Sequence, residues 1–196
     1  TASMPYWAVT DLLRDSLLAS GKKNNLEKLA GFVPSLVSLL PEVENLAAGG
    51  LLITKNLMPQ ERNVLFSGIC RYLSSLAEKT PLLIRIEDAQ WIDQSSAQFL
   101  AFYARQIADK PVQVLCTYSP EEVLTTPDSE HPLMQLKNAL AREANYSHIH
   151  LERLQQFEVA SMISQILSAD SVSDKFTDYI YRESEGNPFF IEQILR

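Results

Sequence analysis

The sequence predicts an α/β fold with a parallel sheet, followed by a small all-helical subdomain. Three observations lead there. Leu82–Glu87 and Val112–Thr117 are apolar at nearly every position, as parallel strands covered on both faces are. Between them, Ser95–Ala108 puts Phe99, Leu100, Tyr103 and Ile107 at helical spacing. Strand, helix, strand at this spacing is a βαβ unit, right-handed almost without exception. From Arg153 onward only helical periodicity remains, so the α/β core is expected over residues 1–152 and the helical subdomain over 153–196.

The elements follow in order. Tyr6, Val9, Leu13 and Leu17, with Leu12 beside them, predict a helix over Pro5–Leu18 that ends at Gly21 and two lysines. A second helix is expected over Leu26–Leu40, with a break or restart at Pro34. Pro41–Pro59 reads as irregular, with a turn at Gly49-Gly50 and a short strand at Leu51–Thr54. Pro59 opens a helix over Gln60–Glu78 whose buried face is Val64, Leu65, Ile69, Leu73 and Leu76. After the first apolar strand, which Arg85 interrupts, Asp93 is placed to cap the next helix.

Beyond the second strand, Glu121–Glu130 reads as a polar loop. Leu133, Leu136 and Leu140 predict a helix ending near Glu143, and the alternation over Ser147–Leu151 a third short strand. In the tail, Phe157, Met162, Ile163, Ile166 and Leu167 mark one helix, and Phe176, Tyr179 and Ile180 a second ending at Glu185. Gly186-Asn187-Pro188 then combines a helix-ending glycine, a capping asparagine and a first-turn proline. Helical periodicity at Pro5–Leu18 and Phe189–Arg196 runs almost to the ends of the chain, so an excerpt of a larger protein is expected.

Composition bounds the function. The chain has 196 residues, 46% of them hydrophobic and 21% charged, which suits an ordinary globular domain with a sizeable core. A net charge of −7 argues against direct nucleic-acid binding or an anionic membrane surface, both of which need a basic face. No apolar run approaches the roughly 20 residues that cross a bilayer. The N-terminus lacks a signal-peptide pattern, so a cytoplasmic location without membrane attachment is expected. Cys70 and Cys116 lie in apolar segments without metal spacing and read as reduced core thiols. His131, His148 and His150 have no partners at ligand spacing and read as structural or surface residues.

The chemistry is concentrated in Pro81–Asp93, where an apolar run ends in Glu87 and Asp88. Open α/β sheets present ligand chemistry at the carboxyl ends of their strands. Nucleotide hydrolysis needs Mg²⁺ near the β- and γ-phosphates and a group that orients the attacking water, and two adjacent acids can meet both needs. The plainer reading is a solvated pair, one member of which caps the following turn.

Three motifs resemble the signal-transduction ATPases with numerous domains, the STAND class, which are relatives of AAA+ and origin-recognition ATPases. They are Glu87-Asp88-Ala89-Gln90-Trp91-Ile92-Asp93, Cys116-Thr117-Tyr118-Ser119-Pro120-Glu121-Glu122, and Glu185-Gly186-Asn187-Pro188-Phe189-Phe190-Ile191-Glu192. The resemblance covers most of the chain from Pro81 on, and Pro5–Leu18 also looks like the family's equivalent helix. It implies a partial three-layer P-loop NTPase core with a Walker B-type strand over residues 82–88 and a sensor-type strand over residues 112–117. By resemblance, Glu87 is the Mg²⁺-side acid, acting through a bound water, and Asp88 helps position the attacking water. Thr117 is either a sensor of the γ-phosphate or simply a strand-end threonine. Trp91 is read as a core or lid-packing aromatic. Gly186 and Pro188 form a structural turn and, by resemblance, an adenine contact, with nucleotide between the strand ends and the helical subdomain.

Two features depart from the family. Ser119 stands where it usually has Arg, which puts efficient hydrolysis in doubt. No Gly-x-x-x-x-Gly-Lys-Ser/Thr loop, the Walker A cradle for phosphates, occurs anywhere; Gly21-Lys22 lacks the first glycine and the hydroxyl residue. The resemblance therefore implies an upstream phosphate loop and downstream helical repeats of the same polypeptide as partners. The expected function is an ATP-binding and ATP-hydrolysing switch module of a multidomain regulator, cycling between ATP and ADP. The alternative is a non-catalytic scaffold domain that keeps the fold with a degenerate nucleotide site. A nucleotide-free metal hydrolase is disfavoured, because no further ligands converge.

Overall fold

A computed structural model describes residues 5–19, 59–78, 80–123, 131–143 and 146–196. The chain forms two compact units, Thr1–Ser147 and His148–Arg196. The protein is mixed α/β, mostly helical, with a two-stranded parallel sheet among the described residues. The expectations for Leu26–Leu40, Pro34, Gly49-Gly50 and Leu51–Thr54, and for residues 124–130 of the polar loop, lie outside the described residues. No helix among those described is long and apolar enough to cross a membrane.

In the first unit the elements are α1 (Trp7–Ala19), α2 (Pro59–Ala77), β1 (Leu82–Ile86), a 3-10 turn (Ala89–Trp91), α3 (Gln94–Gln106), β2 (Val112–Cys116), the one-turn helix α4 (Pro120–Val123) and α5 (Pro132–Leu140). β1 and β2 pair in parallel, from Leu82 opposite Val112 to Ile86 opposite Cys116, with α3 as the crossover. The core holds an aromatic cluster that joins Tyr6, just before α1, to α2 and α3. Phe66 meets Tyr6, Phe99 and Phe102 at centroid distances of 6.2, 5.4 and 5.6 Å, edge-on to the first two. Such pairs add to the burial of their area. Leu13, Ile69, Leu73 and Ile84 complete the core.

The sheet departs from expectation. Leu82, Ile84 and Ile86, with Val112, Val114 and Cys116, join the core. Leu83, Arg85, Gln113 and Leu115 face outward and are exposed. Among the described residues the strands are thus covered on one face, not two. Arg85 is now accounted for, since period-2 alternation carries it to the open face. Val64, expected in the buried face of α2, is exposed beside buried Leu65. The polar loop begins instead with α4, whose Val123 is buried.

Buried Asp93 fastens α1 to α3. It caps α3 as expected, Oδ1 accepting from Ser96 N–H at 2.9 Å, and Oδ2 accepts from Ser96 Oγ. Oδ1 also accepts the N–H of Tyr6 at 2.9 Å, just before α1. One carboxylate thus satisfies donors at two helix N-termini. His131 caps α5, Nδ1 accepting from Leu133 N–H at 3.2 Å.

The second unit contains α6 (Gln156–Leu167), α7 (Asp174–Ser184) and α8 (Pro188–Leu195) around buried Val159, Ile163, Ile180 and Ile191. Glu158 Oε2 accepts the N–H of Gln155 at 2.7 Å, securing the start of α6. Asn187 Oδ1 accepts from Phe189 N–H at 3.0 Å, with Pro188 in the first turn, as the sequence led one to expect. Ser147–Leu151 is irregular, not a strand, and Ile149 and Leu151 are exposed. Phe157, Ile166 and Leu167 on α6, and Phe176 and Tyr179 on α7, are exposed rather than core residues.

Candidate functional site

Glu87 and Asp88 follow directly on the last residue of β1. Glu87 continues the open-face alternation after Leu83 and Arg85. Its Oε1 lies 3.3 Å from Arg85 Nε, and both side chains are more than 60% exposed, so the pair contributes little to stability. Asp88 is left-handed, with φ 53° and ψ 43°. This conformation is uncommon outside glycine, although aspartate tolerates it better than most residues. It turns the chain sharply into the 3-10 turn, where Trp91 N–H donates to Asp88 O at 3.0 Å.

The strand ends are knitted together past the sheet. Thr117 N–H donates to Ile86 O at 3.0 Å, and Ala89 N–H donates to Thr117 O at 2.8 Å. Thr117 is exposed and continues the outward series of Gln113 and Leu115. The acidic pair therefore stands next to Thr117 at the carboxyl end of a parallel sheet.

Gln90 joins the two strand ends a second time. It is 6% exposed. Its Nε2 donates to Asp88 Oδ1 at 3.2 Å, and its Oε1 accepts from Ser119 N–H at 3.1 Å. Ser119 Oγ donates to Glu121 Oε2 at 2.9 Å, in the first turn of α4. In the sequence Gln90 stands out only as part of the Glu87–Asp93 motif. Its partner Ser119 lies 29 residues away, and no local pattern signals that pairing. Trp91 is 68% exposed and is therefore not a core residue of its unit.

The donor set can be tested against Mg²⁺. Among the described residues, no three His, Cys, Asp or Glu side chains are grouped so as to hold a metal ion. A self-sufficient metal site is absent from that part of the chain. Mg²⁺ of a nucleotide complex needs less, because phosphates and waters supply most of its ligands and one or two carboxylates suffice. Exposed Glu87 and Asp88 fit that smaller demand.

In the second unit, Gly186 is buried with φ 73°, and its O accepts from Leu154 N–H at 2.8 Å. A Cβ there would stand 2.1 Å from Leu154 O, so glycine is required for the backbones to approach. Ser184 Oγ accepts from Gly186 N–H at 3.3 Å. Pro188 is exposed at the start of α8. The thiols are free; burial pushes Cys70 up to about 12 and Cys116 to about 11, leaving neither a nucleophile near neutral pH.

No family model matches the chain, and no curated protein or solved structure is significantly similar to it.

Proposed function

We propose that this chain carries the acidic half of an ATP site in a P-loop-type switch module, with Glu87 and Asp88 as its working carboxylates. The observation that carries the reading is their emergence from β1 beside Thr117, at the carboxyl end of parallel β2. Bound Mg²⁺ would neutralise charge on the transferring phosphate. Glu87 would hold it through a water, Asp88 would orient the attacking water, and Thr117 Oγ would donate to a phosphate oxygen. Phosphate contacts would come chiefly from a Gly-rich Lys-Ser/Thr loop upstream of Thr1.

The test uses the protein extended upstream to include such a loop. MgATP binding is followed by the fluorescence of exposed Trp91, in a Trp7→Phe background that silences the chain's other tryptophan. Turnover is read as phosphate release. Binding should be retained in Glu87→Gln and Asp88→Asn, with turnover falling about 100-fold or more. If wild type does not bind ATP, or the double variant turns over like wild type, the reading is wrong.

A second reading, a scaffold with a degenerate nucleotide site, is favoured by Ser119. Its hydroxyl is engaged with Glu121 and offers no cation to developing phosphate charge. ATP binding without turnover would select it.

A further inference from the structure

We propose that residues 148–152 are an interaction surface for a second copy of this chain. The segment pairs with itself, antiparallel about His150, as a two-stranded ribbon. This pairing does not depend on the nucleotide site.

The segment has what a strand needs except a neighbouring edge. His148, Ile149, His150, Leu151 and Glu152 alternate polar and apolar, the period of a strand with one dry face. Ile149 and Leu151 are 75% and 87% exposed, the highest values among the large apolar side chains of the described residues. No proline or glycine lies between Ser147 and Leu154 to bar an extended chain. Among the described residues, the backbone of residues 149–152 bonds to no other segment, so its N–H and C=O groups are left to water. Leu154 N–H is already bonded to Gly186 O at 2.8 Å, which ends the available run on that side. Such a row of unpaired backbone groups is a template for another strand.

The order of the side chains selects the partner. Aligned antiparallel about His150, Ile149 of each copy faces Leu151 of the other, so four aliphatic side chains gather on one face. On the opposite face each His148 meets Glu152 of the other copy, an imidazole N–H against a carboxylate, and the two His150 side chains flank the two-fold axis. A slip of one residue sets both aliphatics against polar side chains. A slip of two leaves one of them against Ser147 or Arg153. Parallel pairing in register sets Glu152 against Glu152, which is unfavourable. Five residues a side bury well under the ~800 Å² per partner of a standard interface. Each copy also carries a net charge of −7, so the dimer is weak and depends on concentration.

The experiment mixes isotope-labelled and unlabelled 196-residue chains and records isotope-filtered NOEs, which report only contacts between copies. Contacts between the methyl groups of Ile149 and Leu151 are expected. Sedimentation over a roughly hundredfold range of concentration should move from monomer toward dimer. Leu151→Arg should remove both signals. Glu152→Lys and His148→Glu, each alone, should weaken dimerisation about threefold or more. The two together should restore it, because the pair is remade with its charges exchanged.

A monomer at every concentration would overturn the proposal. So would a dimer without the Ile149–Leu151 contacts, or one that survives Leu151→Arg, since its interface lies elsewhere. The substituted side chains are exposed, so the variants should fold as wild type does, with amide dispersion from α6, α7 and α8 as the check. Where a variant does not fold, the wild-type NOEs and sedimentation decide alone. ATP binding by the upstream-extended protein is scored separately, and neither result bears on the other.

Discussion

The ring of Tyr103 lies stacked on that of Phe99, with centroids 5.6 Å apart and planes within 13° of parallel. Both are fully buried, yet Tyr103 Oη has no hydrogen-bond partner among the described residues, and burial pushes its pKa up. An orphaned buried hydroxyl is a liability in an otherwise apolar core. Tyr103→Phe keeps the stack and removes the liability, so it should stabilise the protein by about 1 kcal/mol. A higher urea midpoint at unchanged slope is the expected result; a lower midpoint would show that the hydroxyl is bonded.

Asp93 makes the opposite prediction. Asp93→Ala strips the acceptor from Tyr6 N–H, Ser96 N–H and Ser96 Oγ in a buried setting. The expected loss is about 3 kcal/mol, against about 1 kcal/mol for Asp93→Asn, which keeps one acceptor oxygen. Amide exchange should rise first at the start of α1, because its link to α3 is cut.

The thiols and buried phenols set an alkaline limit. Cys70 titrates near 12 in the folded chain against 9.0 as a free thiol, and Cys116 near 11. Burial also raises Tyr6, Tyr72 and Tyr103 above 10.0. A folded-state pKa above the unfolded value means that the neutral group's contribution is complete below pH 9. It is lost as pH rises toward 12, because the unfolded chain ionises first. Each group that is ionised only in the unfolded chain adds a slope of about 1.4 kcal/mol per pH unit. Stability by urea denaturation should be flat from neutrality to pH 9 and then fall steeply. Iodoacetamide near neutral pH should modify both thiols only after unfolding.

Gly186→Ala should be the most damaging single-methyl change in the helical unit. It forces a side chain into the left-handed region at φ 73° and toward Leu154 O. The cost is about 3 kcal/mol or more, combining backbone strain with a backbone clash. A unit whose core is four fully buried residues has little in reserve. Loss of amide protection in α6, α7 and α8, with α1–α3 intact, is the expected readout.

The elements were legible where local rules decide them. Apolar runs bounded by Pro81 and Pro111 located β1 and β2, and Asp93 and Asn187 announced their helices by capping chemistry. Burial was less legible. Leu83 and Leu115 are as apolar as Ile84 and Val114, and only the pleat separates the two sets. His148–Leu151 alternates like a strand, but alternation becomes a strand only where another edge supplies hydrogen bonds. In the candidate site, Glu87 and Asp88 were visible as a pair at a strand end. Their junction with Thr117 and Ser119 through Gln90 was not, because tertiary pairing across 29 residues leaves no periodic trace.

The bond from Tyr6 N–H to Asp93 joins positions 87 residues apart. During synthesis the N-terminal segment is made first, yet its anchor is carried by a turn that emerges much later. Until Asp93 and Ser96 have left the ribosome, the start of α1 has no acceptor for that amide. α1 therefore docks only after β1 and the start of α3 have been made.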